Sequence, residues 1–478
     1  MMRSLYSGVS GLKVHQTKMD VIGNNISNVN TVGFKSSAVN FSDILYQTTS
    51  SASGPNATTG TAGINAKQIG LGSSVASISS TVSVSGGSQR TDNALDIMIE
   101  GDQFFIVNNG KQNYFTRAGA FTVDANGVLC NAAGCKVMGW QVDPNDPSKC
   151  VQDTVSELRV MSPDTQYIEP EATTNVYVSG NIDYKDTQLT TDTGKTTTLA
   201  FYDNLGQSYM AVMKVKQSDE YNNQYKVSIT NILDSKGQSI FVNKTEEEDG
   251  TITYSASAIT SFIFGAEGDE ISAEVDEDGN VNIDMEGVDL VFDAATGKFS
   301  SVGGEEGGKS INFMVNADPS PFTMIDVDFS SMTMYASSGS SSFSCSRGSL
   351  DGQGAGAPKG EMSGISVDTS GRIYGTYDNG DTKLLCQIAV ASFANAAGLE
   401  AVGNNLFAAT MNSGDFDGVG EDISSNGGKM NTGVLEMSNV DLSTEFTQMI
   451  TTQRGFQANS RTITVSDTLL EELINLKR

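Results

Sequence analysis

The chain has 478 residues, of which 38% are hydrophobic and 18% charged, and 57 acidic against 29 basic residues give a net charge of −28. That balance disfavours nucleic acid and anionic membranes as partners, while the length suits about three domains. A single histidine, His15, and five cysteines without paired spacing leave no zinc site.

At the N-terminus, Leu5, Leu12, Met19 and Ile26 recur every seven residues, and Ile22 and Val29 each follow three further on. This period predicts an amphipathic helix. It ends in Asn24-Asn25-Ile26-Ser27-Asn28-Val29-Asn30-Thr31-Val32-Gly33-Phe34-Lys35. Asn and Ser side chains compete there for backbone hydrogen bonds, and Gly33 offers a positive-φ stop. The opening residues lack the apolar core of a secretory leader, and no run of 18 apolar residues occurs anywhere. Neither a cleaved signal peptide nor a membrane-inserted segment is expected.

Residues 33–74 are rich in Ser, Thr, Ala and Gly without apolar periodicity, and read as an extended linker. From Ile97 to Val142, short apolar runs alternate with Asn108-Asn109-Gly110, Asp124-Ala125-Asn126-Gly127 and Asn131-Ala132-Ala133-Gly134, the rhythm of β-hairpins, with Trp140 expected in their core. Cys130 and Cys135 flank the last of these turns. Paired strands there would allow a disulfide, the alternative being separate thiols packed as small hydrophobes.

Strand-like runs continue at Thr197–Tyr202, Tyr209–Lys216, Gln224–Ile232 and Val288–Phe292. Residues 241–310 hold seventeen Asp and Glu against Lys244, Lys298 and Lys309, the pattern of a solvated outer face. Asp276-Glu277-Asp278-Gly279-Asn280 fails the EF-hand pattern, because Val281 stands where the obligatory Gly belongs. Beyond a Gly-rich crossing at 348–365, Gly371–Tyr377 and Thr382–Phe393 predict another hairpin. The strand-rich unit begun before residue 146 thus resumes after 360.

The last stretch repeats the first. Leu435, Leu442, Met449, Phe456, Ile463 and Leu470 are spaced by seven, and Phe446 widens the row. Residues 1–32 and 435–478 together carry no net charge. Matching period and neutrality imply that the ends pack together or against copies of themselves. A lone chain would offer the apolar rows no partner, so both ends are expected to order on assembly.

The fold class expected is multidomain α+β: terminal helices forming a coiled-coil-like layer, with nested, mainly antiparallel β domains between them. Its parts are a helical domain (1–32 and 435–478), the linker (33–74), a β-rich middle domain (75–145 and 361–434) and an outer insertion (146–360). No GxSxG, phosphate loop or metal-ligand cluster is present. The chain reads as a non-enzyme without cofactor or metal.

Residues 4–35 resemble the N-terminal signature of the bacterial flagellar rod and hook proteins, from Ser4-Leu5-Tyr6-Ser7-Gly8 to Val32-Gly33-Phe34-Lys35. Further matches follow in family order at Gly86–Asp96, Ile99–Phe105, Tyr114–Gly119, Gly433–Leu442 and Gln453–Ser460. Rod members lack a large central insertion, whereas Phe201-Tyr202-Asp203-Asn204-Leu205-Gly206-Gln207-Ser208 looks like the outer domain of the hook members.

The resemblance implies a curved tubular homopolymer that passes torque from rod to filament as a universal joint. The alternatives are a distal rod or other axial protein and, more distantly, a secreted acidic hydrolase or adhesin. It implies subunit packing through Leu5, Leu12, Met19, Ile22, Ile26, Leu435, Leu442, Phe446, Met449, Phe456, Ile463 and Leu470 in the inner tube layer. Asn24, Asn25, Asn28, Asn30, Gly33 and Phe34 form the signature turn. Implied partners are other copies, the flagellar rod, the hook cap, the hook–filament junction proteins and the flagellar export apparatus. The implied location is the extracellular hook of the flagellum.

Overall fold

Turn glycines set the rhythm of the strands. In the computed structural model, which describes all residues except 1, 56–59, 61, 145, 220, 247–251, 266–269, 305–306 and 477–478, Gly110, Gly127 and Gly134 take φ of 88°, 77° and 76°. Each lies in one of the three predicted turns, where only glycine adopts that backbone without cost. The described chain is mainly β, with a long helix near either end: α1 (Met2–Ser27) and α2 (Leu442–Asn475).

Two compact units are present. Unit 1 comprises Met1–Thr165, Gly364–Thr376 and Thr382–Arg478; unit 2 comprises Gln166–Ser363 and Tyr377–Asp381.

Unit 1 draws on both halves of the chain. Its strand Lys136–Asp143 pairs antiparallel with Phe104–Asn108 and with Thr382–Ile388. Val82, Phe104, Ile106, Phe115, Trp140 and Phe407 are packed in its core. Trp140 sits there because its one polar atom is satisfied: Nε1 donates to the carbonyls of Asp153 and Val419, each at 3.0 Å. Residues 146–165 also pack in this unit, where Ser156–Glu157 pairs with Met138 and Gly139.

Residues 33–74, expected as an extended linker, instead carry paired strands. β1 (Ser37–Asp43) pairs antiparallel with β4 (Ser73–Ser80), and β2 (Tyr46–Ser50) with β3 (Lys67–Gly70). Apolar periodicity could not reveal them, because the pairing is decorated by hydroxyls: Ser37 Oγ lies 3.1 Å from Ser80 Oγ, and Ser42 Oγ 2.8 Å from Ser74 Oγ.

Among its described residues unit 2 is built of strands, and the short helical turn Pro163–Gln166 ends at its first residue. A five-stranded antiparallel sheet contains Lys195–Tyr202, Ser208–Gln217, Gln224–Leu233 and Val288–Phe292, close to the four predicted runs. A second sheet of seven strands includes one parallel pair, Asn175–Asn181 with Ile325–Thr333. Side chains of both sheets share one core around Phe201, Tyr225, Phe292 and Phe313. The acidic turn at 276–280 is closed internally: Asp276 Oδ1 accepts from the backbone N–H of Asp278 and Asn280 at 3.1 and 2.8 Å.

Candidate assembly interface

α1 and α2 run antiparallel in one constant register. Ser4 Oγ lies 3.3 Å from Ser466 Oγ at one end, and Asn25 Nδ2 donates to Glu445 Oε1 at 3.0 Å at the other. Between these points the helices meet through glycines. A Cβ added at Gly8 would lie 3.0 Å from Ile463 Cγ1, at Gly11 2.5 Å from Asn459 Nδ2, and at Gly455 2.7 Å from His15 Cε1 and Nε2. Each bulky contact residue therefore faces a missing side chain, which lets the axes approach. α1 thus has a partner within its own chain, contrary to the expectation that the lone chain offers none.

The row of α2 that faces α1 is not the predicted apolar one. Its buried residues are Glu445, Thr452 and Ser466, and Asn459 occupies the same heptad row. Of the predicted row, Ile463 reaches the seam, Met449 and Leu470 are half-buried, and Leu442, Phe446 and Phe456 are 38%, 49% and 38% exposed. On α1, Ile22 is buried with Gly8, Gly11, Val14 and Asn25, whereas Leu5, Leu12, Met19 and Ile26 are half-buried. Leu435 is buried but does not belong to the helix. It lies in the strand Val434–Glu436, paired with Ser88–Arg90, and α2 begins only after Asp441, whose carboxylate accepts from the Ser443 N–H at 2.9 Å.

The Asn-rich turn is held by specific bonds. Asn25 Nδ2 also donates to the Ser37 carbonyl at 2.9 Å, while its Oδ1 accepts from the Ser37 N–H at 3.0 Å. One buried amide thereby ties the end of α1 to the start of both β1 and α2. Asn28 Nδ2 donates to the Asn24 carbonyl at 2.9 Å and closes the last helical turn; Asn24 and Asn30 are exposed, and Phe34 is half-buried. Gly33 takes φ 69°, and a Cβ there would lie 2.8 Å from the Ala118 nitrogen.

Beside Gly33 lies a buried charge cluster that sequence reading missed. Lys35 Nζ contacts Glu436 Oε1 at 2.7 Å, and Arg117 Nη1 stands 3.6 Å from Glu436 Oε2, all three side chains being 1% exposed or less. The Gly86 N–H donates to Glu436 Oε1 at 3.0 Å, Lys35 donates to the Val84 carbonyl at 2.7 Å, and Arg117 Nη2 donates to the Gly101 carbonyl at 2.6 Å. Arg117 also stacks 5.0 Å above the Phe104 ring. Burial pulls both Lys35 and Arg117 below their usual pKa values, with the Glu436 carboxylate opposing the shift. The only signal in the sequence was that Lys35, Arg117 and Glu436 each fall inside a family-like segment, which says nothing of their meeting.

Of the two alternatives for Cys130 and Cys135, the structure has the separate thiols. Cys130 and Cys135 are free, as are the other three cysteines. Strand register explains this: Cys130 pairs with Lys136, so Cys135, one residue earlier, points to the opposite face. Among the described residues, no group of three His, Cys, Asp or Glu is arranged to hold a metal, and no helix is long and apolar enough to cross a membrane.

The chain is 36% identical to the flagellar hook protein FlgE of Borreliella burgdorferi across 479 residues, covering 100% of both chains. It is 34% identical to that of Treponema pallidum across 495 residues, again 100% of both. The chain belongs to the flagellar hook protein family. It is a structural subunit of the hook, a component of the flagellar hook and basal body. The match to the rod protein FlgG of Bacillus subtilis is weaker, at 28% identity over 100% of both chains.

Family profiles match three separate stretches of this hook protein, the second of which runs from unit 1 into unit 2. Residues 5–35 match the flagella basal body rod protein profile, 98–181 the flagellar hook protein FlgE/F/G D1 domain, and 431–476 the C-terminal profile of the flagellar basal body rod FlgEFG proteins. Lys35, Arg117 and Glu436 thus come one from each matched segment. The buried cluster joins the three most family-like parts of the hook protein.

Proposed function

We propose that this chain is the repeating subunit of a curved tubular polymer that works as a universal joint between rod and filament. The observation that carries the reading is the division of α2 into two rows. A small and polar row is consumed by α1 of the same chain, and an apolar row, including Leu442, Phe446 and Phe456, is left exposed. Exposed apolar rows of this length call for a partner.

In this reading the terminal helices form the inner layer of the tube and pack beside neighbouring copies in a coiled-coil-like way. Leu5, Leu12, Met19, Ile26, Met449, Ile463 and Leu470 flank those contacts. The strand-rich part of unit 1, including 146–165, lies next outward and Gln166–Ser363 outermost, where an acidic, hydrated surface slides without sticking as the tube bends. The function is mechanical rather than catalytic. The subunit would meet the rod, hook cap, hook–filament junction proteins and export apparatus, and would work outside the cell.

The test is a chain in which Gln166–Ser363 is replaced by a short linker. It should still polymerise, into straight or poorly curving tubes seen by electron microscopy. Failure to polymerise would overturn the layer assignment. Straight tubes from the full-length chain would favour a distal rod protein instead.

A further inference from the structure

α2 outruns its partner at one end. The register that sets Ser4 against Ser466 sets Met2 against Thr468, so the last two turns of α2 lie past the described part of α1. In that overhang Leu469, Leu473, Ile474 and Leu476 are 46%, 49%, 69% and 83% exposed. Elsewhere in unit 1, a groove of about 480 Å³ runs between α1 and the β1–β4 ribbon, with Tyr6, Val9 and Lys13 on one wall and Ile44, Leu71 and Val75 on the other.

We infer that the overhang of one copy docks in this groove of a second copy. The inference rests on the self-assembly proposed above and names the surfaces that meet. α2 is one continuous helix of 34 residues. An overhang that leaves α1 at its N-terminal end cannot turn back into a groove lying alongside the same α1, so the occupant comes from another chain.

Size and charge agree. The seven helical residues Leu469–Asn475 span about 10 Å, and the α1 wall from Tyr6 to Lys13 about 12 Å. α1 carries Arg3, Lys13 and Lys18 against Asp20 alone, in a chain of net charge −28. Lys13 stands on the α1 wall of the groove, and the overhang from Leu469 to Leu476 carries Glu471 and Glu472; Lys477 and Arg478 follow outside the described residues. Apolar contact would supply the affinity and the opposed charges the register. The ribbon also gains support, because a two-stranded ribbon alone is marginally stable in water. A contact between two different patches leaves a free groove and a free overhang after every addition, so it generates an open helical polymer rather than a closed dimer.

Photo-cross-linking tests this directly. p-Benzoylphenylalanine replaces Ile44 in the full chain, ¹⁵N-labelled and unlabelled copies are polymerised together and irradiated, and peptides are identified by mass spectrometry. Mixed-isotope cross-links to the Thr462–Lys477 peptide are expected. Cross-links confined to other peptides, or to the same chain, would overturn the inference.

The double variant Leu473→Ser/Ile474→Ser alters only exposed side chains. It should leave the Tm of the monomer unchanged and raise the critical concentration for polymerisation about tenfold or more, as two aliphatic side chains lose their burial. An unchanged critical concentration in that variant, beside a raised one in Phe446→Ser/Phe456→Ser, would reject the docking while leaving self-assembly intact. Absence of any polymer from the native chain would overturn both.

Discussion

Gly455 and His15 share one space: a Cβ at 455 would lie 2.7 Å from two atoms of the imidazole ring. The same ring stands edge-on to Phe41 of β1, with centroids 5.7 Å apart, so α1, α2 and β1 meet on it. Gly455→Ala would gain about 1 kcal/mol of helix propensity at an open site, yet here it should destabilise. Gly455→Leu should cost about 1–3 kcal/mol or more, the range for overpacking. Urea unfolding followed by helical circular dichroism measures both, and a stabilising Gly455→Ala would mean that the seam yields easily.

The same histidine makes the helix pair sensitive to acid. Burial, with Lys18 adding, holds the His15 imidazole below its usual value of 6.5, and its Nδ1 has no hydrogen-bond partner among the described residues. The folded chain therefore binds this proton less readily than the unfolded chain. Stability contributed by neutral His15 is present above 6.5 and falls as pH drops below it. Because His15 is the only histidine, His15→Gln should flatten the dependence of Tm on pH between about 5.5 and 7.5. An equally steep profile in that variant would assign the effect to other groups.

Two cations share one carboxylate at Glu436, so the three members of the cluster are not equivalent. Glu436→Gln leaves Lys35 and Arg117 buried together with only the exposed Asp102 carboxylate nearby and should cost about 3–5 kcal/mol. Lys35→Met leaves a balanced pair and should cost less. Equilibrium denaturation of the two variants gives the order, and the reverse order would contradict the reading of Glu436 as the centre of the cluster.

Asn25 has a role that a carboxylate cannot take. Its amide donates to Glu445 and to the Ser37 carbonyl, whereas Asn25→Asp removes both donors and sets a second carboxylate against Glu445. Asn25→Ala should cost about 1–3 kcal/mol, the range for an unsatisfied buried partner. Asn25→Asp should cost more at neutral pH and approach the alanine variant in acid, where the carboxyls protonate. Thermal denaturation at two pH values separates the outcomes.

Much of the architecture was legible in the chain. Sevenfold spacing at both ends marked the helices, because a helical face repeats nearly every seven residues whatever its neighbour. Gly110, Gly127 and Gly134 marked turns, because positive φ is a local demand. The strands of 37–80 were not legible, since hydroxyl pairs such as Ser42 with Ser74 leave no apolar period. Nor was the fate of Cys130 and Cys135, which a one-residue register decides.

The sequence by itself determined two helices of matched period and the turns of the β units, because these follow from local backbone preference. Tertiary structure alone decided which row of α2 faces α1. Leu442–Met449–Phe456 and Glu445–Thr452–Asn459 repeat with the same period, and only the meeting of Glu445 with Asn25, of Asn459 with Gly11 and of Ser466 with Ser4 selects the second. It likewise brought Lys35, Arg117 and Glu436 together from distant parts of the chain, because the meeting of buried charges depends on long-range packing that no local pattern records.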